Sequence, residues 1–121
     1  MSSGDGRRAA RAPAFFAVQD VAADGRHTFV LSGELDIARA VELKDALQRL
    51  GPRGSSGITL DLSRLTFMGS TGLRIVLLAK ELCELWGYEF RIVPGPTHVQ
   101  RVFQFAGVID RLPFQLAPGG S

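Results

Sequence analysis

The hydroxyl groups of Ser70 and Thr71 lie between two glycines, Gly69 and Gly72, directly before an apolar helical pattern. A serine at a helix start commonly caps the helix by accepting a backbone hydrogen bond, which contributes about 1 kcal/mol. A hydroxyl in this place can also carry a phosphate, because the helix dipole and the first N–H groups favour negative charge. Ser70 is therefore a candidate for capping or for regulatory phosphorylation, and Thr71 is the runner-up phosphorylation site.

The residues needed for enzymatic catalysis do not assemble around Ser70. A nucleophile elbow needs a glycine two residues before the serine, and Met68 occupies that position. The histidines, His27 and His98, and the single cysteine, Cys83, have no recognisable metal-ligand spacing. No Walker lysine follows the glycines, so nucleotide binding is not indicated. The sequence predicts no enzyme, no catalytic residue, no metal and no cofactor.

The composition predicts one domain with one hydrophobic core, since the chain has 121 residues and 45% hydrophobic content. The net charge of +2 comes from the beginning of the chain, where Arg7, Arg8 and Arg11 outnumber Asp5. A short basic tail is a weak basis for nucleic-acid binding, and none is expected. We predict a disordered basic tail at residues 1–14, a folded domain at residues 15–116 and a flexible end at residues 117–121.

The sequence also bears on the compartment. The most apolar stretch, from Leu73 to Ala79, is interrupted by Arg74 and is too short to span a bilayer. A single cysteine cannot form an internal disulfide and suits a reducing compartment. We therefore expect a cytoplasmic chain without direct membrane insertion.

Two antiparallel strands begin the predicted fold, at residues 15–21 and 26–32, with the tight-turn dipeptide Asp24-Gly25 between them. Residues 33–36 are expected to end the second strand. Asp36 is placed to cap a helix whose apolar positions have helical spacing. These positions are Ala40, Leu43, Leu47 and Leu50.

A third strand is predicted at residues 58–62, followed by the helix that begins at Ser70. The apolar stripe of this helix comprises Ile75, Leu78, Ala79, Leu82 and Trp86. A fourth strand is predicted at residues 89–93, and a third helix, which Thr97 is expected to cap, follows it. A short final strand or helix is expected after Gly107. This order predicts an α/β fold with a mixed, mostly parallel sheet of about four or five strands and helices packed on it.

In such a sheet, the strand ends that lead into helices lie at one edge, which brings residues 33–36, 66–72 and 94–97 together. We predict that this edge binds a partner. The candidate contact residues are Gly33, Glu34, Asp36, Gly69, Ser70, Thr71, Gly72 and Leu73. Two alternatives stay open: Glu34 is a solvated acid, and Leu73 with Leu77 forms either an apolar docking stripe or part of the core.

Residues 61–73 resemble the signature of the STAS-domain family. An acidic residue, a leucine and a serine (Asp61, Leu62, Ser63) follow a central strand, and Phe67 and Met68 then precede the helix start. Residues 33–36 also resemble the family's loop after its second strand, and the element order matches from about residue 15 to residue 116. Ser70 falls on the serine that family members phosphorylate, and Gly69 replaces their usual aspartate.

This resemblance implies a bacterial anti-sigma factor antagonist, a protein-binding module that regulates transcription by partner switching. The unphosphorylated antagonist binds a serine kinase that doubles as an anti-sigma factor, phosphorylation at Ser70 by that kinase ends the binding, and a separate phosphatase resets the cycle. ATP belongs to the partner. The alternative is a constitutive STAS scaffold subunit of a stress-sensing or lipid-transport complex, without phospho-switching. In either case the chain is expected to be a monomer or a weak homodimer.

Overall fold

The computed structural model describes residues 15–115. Four strands are present in this range: β1 (Phe16–Ala23), β2 (Arg26–Leu35), β3 (Gly57–Met68) and β4 (Glu89–Val93). The helices are α1 (Ala40–Leu50), α2 (Ser70–Trp86) and α3 (Thr97–Phe105), followed by a short 3-10 helix (Ile109–Arg111). No helix in the described range is long and apolar enough to cross a membrane.

The strands form one sheet in the order β1-β2-β3-β4. β1 pairs with β2 antiparallel, whereas β2 with β3 and β3 with β4 are parallel pairs. The hairpin turn between β1 and β2 has Asp24 at φ 54° and Gly25 at φ 78°, the left-handed conformations of a tight two-residue turn. The predicted hairpin and the predicted mixed α/β sheet are therefore confirmed.

The core lies against one face of the sheet. Along β2, Phe29 and Leu31 are buried while Thr28 and Val30 stay half-exposed, the alternation expected of a sheet with one covered face. All three helices contribute buried residues to the same cluster, including Leu43, Val76 and Phe103. The fold thus consists of a sheet layer and a helix layer. In sequence, the buried apolar residues of the described range begin at Phe16 and end at Leu112.

Two strands extend at least three residues beyond their predicted C-terminal ends. β2 continues through Gly33 to Leu35 instead of ending at Ser32, and β3 continues past Leu62 to Met68. Register shifts between Val30 and Ser32, and again between Gly33 and Glu34, add two unpaired residues to β3. These bulges place buried side chains three residues apart instead of two, which obscures the strand pattern in the sequence.

The predicted stripe of α2 is also corrected. The fully buried residues are Gly72, Val76, Ala79 and Cys83, so of the predicted stripe only Ala79 faces the centre of the core. The other predicted members are half-buried: Ile75, Leu78, Leu82 and Trp86. Leu73 and Leu77, on the opposite flank, also pack partly against the core. α2 is therefore embedded along both flanks, because it packs against the sheet and against α1.

Thr97 does not cap α3. It is the first helical residue, the N-cap is Pro96, and no side-chain hydrogen bond caps this helix among the described residues. α3 buries Val99 and Phe103. Phe103 packs edge-to-face on Phe114, which forms an isolated parallel bridge with Ile92 of β4.

Candidate functional site: the edge around Ser70

The candidate site is the sheet edge where β2 and β3 end and α1 and α2 begin. Leu35 and Met68, the last residues of the two strands, are paired in register, and the Gly69 N–H donates to the Leu35 carbonyl at 3.2 Å. α3 reaches the same edge, since the His98 Nε2–H donates to the Thr66 carbonyl at 2.6 Å. Residues 33–36 and 66–72 therefore meet as predicted, and the beginning of α3, directly after residues 94–97, contacts the second of these segments.

Ser70 is exposed and is the first residue of α2. The N-cap is Gly69, and the first helical hydrogen bond joins the Leu73 N–H to the Gly69 carbonyl at 3.1 Å. Within residues 15–115, the Ser70 hydroxyl makes no hydrogen bond, so it does not cap the helix. Capping by Ser70 is thus corrected, and its hydroxyl is available to solvent.

The three residues after Ser70 are all less accessible than Ser70 itself. Thr71 and Leu73 are half-buried, and Gly72 is buried. A Cβ atom on Gly72 would lie 2.6 Å from Met68 Cγ and 2.9 Å from Leu35 Cγ, so α2 begins in close contact with the strand ends. Of the two hydroxyl residues, Ser70 is the more accessible to a modifying enzyme.

Gly69 has an ordinary extended backbone, with φ −94° and ψ −175°. A Cβ atom there would make only normal van der Waals contact, 3.5 Å from Phe67 Cε2. Neither conformation nor space therefore requires glycine at this position. What the glycine changes is chemical, because it leaves the residue before Ser70 without a charge or a side-chain acceptor.

Asp36 stabilises the turn before α1. Its Oδ1 accepts the backbone N–H groups of Ala38 and Arg39, each at 3.1 Å, and its Oδ2 pairs with Arg39 Nη1 at 3.2 Å. The N-cap of α1 is Arg39, so Asp36 fixes the preceding turn and not the first helical turn itself. Its carboxylate is half-buried, and its contacts stabilise this turn.

The remaining two predicted contact residues lie next to each other on β2. Gly33 is buried beneath the backbone of Phe15, whereas Glu34 is half-buried and donates its N–H to the Phe15 carbonyl at 2.6 Å. Gly33 can thus contribute only the shape of the edge. Glu34 brings a carboxylate beside Phe67, its neighbour in the β2–β3 register.

The sequence analysis missed three exposed apolar side chains on the segments around Ser70. Ile37 is 76% exposed, Val41 57% and Phe67 47%; we call these residues the apolar rim. One signal was available in the sequence: Ile37 and Val41 are four residues apart and lie off the helical stripe predicted for α1. Exposed apolar residues grouped beside a polar site are typical of protein-binding surfaces.

The site lies outside the two best-defined cavities of the described residues. One cavity in the described part of the chain, of about 470 Å³, is lined by residues of β1, β2 and α1. Another, of about 460 Å³, is lined by residues of α2, β4 and the C-terminal segment. Neither is lined by Ser70 or by the apolar rim. Within residues 15–115, no cluster of three or more metal-ligating side chains is found. The geometry around Ser70 is suited to contact with another macromolecule.

Comparison with known proteins identifies relatives. A family profile described as "Mlab, STAS domain" matches residues 18–114. The curated protein named "Putative anti-sigma factor antagonist BtrV", from Bordetella bronchiseptica, is 35% identical over 91 residues, which cover 74% of this chain and 78% of that protein.

Solved structures agree with this result. An anti-sigma factor antagonist from Mycobacterium paratuberculosis has a TM-score of 0.74 at 26% identity, and the match covers 85% of this chain and 87% of the other. The anti-sigma factor antagonist SpoIIAA, in its unphosphorylated form, has a TM-score of 0.69 at 21% identity, covering 87% and 91%. The likeness to SpoIIAA shows the shared fold. The profile match over most of the chain, together with the curated relative, shows that this protein belongs to the STAS-domain family, with anti-sigma factor antagonists among its relatives.

Proposed function

We propose that this chain is an anti-sigma factor antagonist that binds an anti-sigma factor serine kinase and is released by phosphorylation of Ser70. The observation that carries the proposal is the exposed Ser70 hydroxyl at the start of α2, on the edge that also presents the apolar rim. The names of the relatives supply the class of partner. The role is binding, and the chemistry of phosphoryl transfer, including ATP, belongs to the partner.

The affinity would come mainly from the apolar rim. Ile37, Val41 and Phe67 expose large parts of their side chains, and burying one such side chain is worth about 1.5–3 kcal/mol. Glu34 and Ser70 would supply polar contacts to the partner. Among the other predicted contact residues, Gly33 and Gly72 shape the surface through their backbone, while Asp36, Gly69, Thr71 and Leu73 border it.

Phosphorylation would end the binding through charge and hydration. A phosphate adds nearly two negative charges at Ser70, and the first N–H groups of α2 accommodate it without distorting the fold. A partner that covers Ser70 would have to strip water from the phosphate, at a cost of several kcal/mol. Since about 1.4 kcal/mol is a tenfold change in affinity, the loss of binding would be large. A separate phosphatase would restore the binding form, and the whole cycle would be cytoplasmic.

A second candidate function is a constitutive STAS scaffold subunit of a stress-sensing or lipid-transport complex. Gly69 favours it, because the residue before Ser70 has no carboxylate to help a kinase recognise or activate the hydroxyl. In that case Ser70 would remain unmodified, and binding would not depend on its charge.

The experiment that tests the proposal is affinity capture from the native host's lysate, with wild type, Ser70→Ala and Ser70→Asp as parallel baits. Captured proteins and the modification state of Ser70 are identified by mass spectrometry. We expect wild type and Ser70→Ala to capture an ATP-binding anti-sigma factor kinase, and Ser70→Asp to lose it. Incubating wild type with that kinase and ATP should phosphorylate Ser70, and a Thr71→Ala variant should be phosphorylated equally well.

Two further variants test whether the partner covers the edge. Ile37 and Leu85 are both 76% exposed, but Leu85 lies near the end of α2 that is remote from Ser70. Ile37→Asp should weaken capture at least tenfold, and Leu85→Asp should leave it unchanged. Equal capture by all three Ser70 baits would refute the switch and favour the scaffold function.

A further inference from the structure

Arg74 lies one helical turn after Ser70, and both side chains are exposed. Side chains four residues apart are neighbours on a helix surface, with their Cβ atoms about 5–6 Å apart. α2 is regular from its first turn, as the bond from the Leu73 N–H to the Gly69 carbonyl shows. Arg74 therefore lies within reach of any group attached to the Ser70 hydroxyl.

Arg74 has no counter-ion in the described range. It forms no ion pair or hydrogen bond there, whereas the other cation of α2, Lys80, pairs with Glu84 at 2.7 Å. The first turn of α2 contains no acidic residue, and Gly69 adds none. Among residues 15–115, the unmodified helix start thus has a positive dipole end and a guanidinium without a counter-ion, and no negative charge that both would attract.

A phosphate on Ser70 would supply that charge in a favourable arrangement. The guanidinium group presents a planar fork of N–H donors that matches two phosphate oxygens. An anion placed N-terminal to a cation at this spacing is also the more stabilising order on a helix. The pair would form within one helix, so no loop would have to become ordered.

From this geometry we propose that Arg74 is a positioning residue that holds the phosphate of phosphorylated Ser70 against the first turn of α2. The proposal rests on the proposed function, since it concerns the same modified serine. Its consequence is that the chain itself stabilises the phosphorylated state, without help from a partner. Phosphorylation also occupies Arg74, which is then no longer available for contacts at this edge.

The test uses the full-length chain with phosphoserine incorporated at position 70 during translation, so that no natural kinase is needed. The second pKa of the phosphate is measured by ³¹P NMR titration in wild type, Arg74→Gln and Arg74→Lys. This pKa is ordinarily about 6. We expect it to be about 0.3 units higher in Arg74→Gln than in wild type, because the cation favours the dianion. Arg74→Lys should recover part of the difference, and added salt should reduce it.

Arg49→Gln is the matched control, because Arg49 is an exposed arginine in the last turn of α1, at the opposite end of that helix from the Ser70 edge. It should leave the phosphate pKa unchanged. Arg39, paired with Asp36, and His98, bonded to Thr66, are retained in every variant, so they cannot account for a difference.

Equal phosphate pKa values in wild type and Arg74→Gln would overturn the proposal. Arg74 is exposed, so its replacement should leave the melting temperature nearly unchanged, which a thermal melt checks. Failure of the host kinase to modify Ser70 would instead refute the proposed function, and it would leave this measurement unaffected.

Discussion

Gly33 shows how a single residue determines the path of the chain at the functional edge. Its backbone has φ +89°, and a Cβ atom would lie 2.0 Å from the Phe15 carbonyl oxygen. This close approach lets the chain before β1 pair with the end of β2, where the Glu34 N–H donates to the same carbonyl. The edge near Ser70 is thus built on a contact that only glycine permits.

We expect Gly33→Ala to lower the free energy of unfolding by roughly 2–4 kcal/mol, through left-handed strain and overpacking. Gly25→Ala is the control, because Gly25 has φ +78° but only Ser56 Oγ near its Cβ position, at 3.6 Å. Its cost should be about 1–2 kcal/mol, from strain alone. Urea unfolding measures both values, and equal destabilisation by the two variants would contradict the role assigned to the Phe15 contact.

Cys83 is chemically inert because of its position. It is 1% exposed, and burial, followed by the nearby charge of Glu84, raises the pKa of its thiol to about 11. The thiol therefore stays protonated at neutral pH, while the reactive species is the thiolate. Cys83 thus serves as a small apolar residue of the core.

We expect iodoacetamide to label Cys83 at pH 7.5 only as fast as the protein opens. Labelling in about 8 M urea is the control and should be complete within minutes, because the unfolded thiol has an ordinary pKa of about 8.5. Mass spectrometry over time measures both rates. Comparable rates with and without urea would show that Cys83 is accessible in the folded chain.

At the scale of the elements, β3 marks the limit of sequence prediction. Leu60 and Leu62 follow the two-residue period of a strand, but the next buried residues are Leu65 and Met68. Those intervals of three come from the bulges in the pairing with β2, and they depend on tertiary pairing that no local pattern encodes. The hairpin was predictable because Asp24-Gly25 is a strong local turn signal. The start of β4 is marked by Gly87, which ends α2 in the left-handed conformation, with φ 75°.

The start of α2 allows a prediction about stability. Gly69 occupies the N-cap with an extended backbone and free space around its Cβ position. Aspartate is a better N-cap than alanine, and replacing glycine reduces the entropy of the unfolded chain. We expect Gly69→Asp to raise the free energy of unfolding by about 0.5–1 kcal/mol.

Gly69→Ala is the control for Gly69→Asp, since it restricts the unfolded chain similarly but supplies no capping oxygen. Chemical denaturation should rank aspartate above alanine. If alanine stabilised the fold as much as aspartate, capping would not explain the gain. The same Gly69→Asp chain, offered to the kinase, shows whether a carboxylate beside Ser70 changes the rate of phosphorylation.

At the scale of the whole molecule, the site was only partly predictable. The order of strands and helices places the segments around Ser70 at one edge, and the helix start at Ser70 has a recognisable signature. The apolar rim was not predicted. The spacing of Ile37 and Val41 off the predicted stripe of α1 was the one available signal, and an exposed Phe67 has the same sequence appearance as a buried one. Exposure depends on what packs nearby, which is a property of the complete fold.

The extent of the folded unit remains a prediction that truncation can test. All buried apolar residues of the described range lie between Phe16 and Leu112, so we expect a fragment of residues 15–116 to unfold within a few degrees of the full chain. A shorter fragment, 15–108, lacks buried Leu112 and the Phe114 ring, whose centroid is 5.0 Å from that of Phe103.

The shorter fragment also loses two backbone hydrogen bonds with Ile92 of β4. The Gln115 N–H donates to the Ile92 carbonyl at 2.7 Å, and the Ile92 N–H donates to the Pro113 carbonyl at 3.0 Å. Loss of the two apolar side chains alone should cost roughly 3–5 kcal/mol, a large part of the stability of a domain this size. Circular dichroism melts of the three chains make the comparison. If the fragment 15–108 were as stable as the fragment 15–116, the C-terminal segment would not complete the core. If the fragment 15–116 were much less stable than the full chain, part of the folded unit would lie outside residues 15–116.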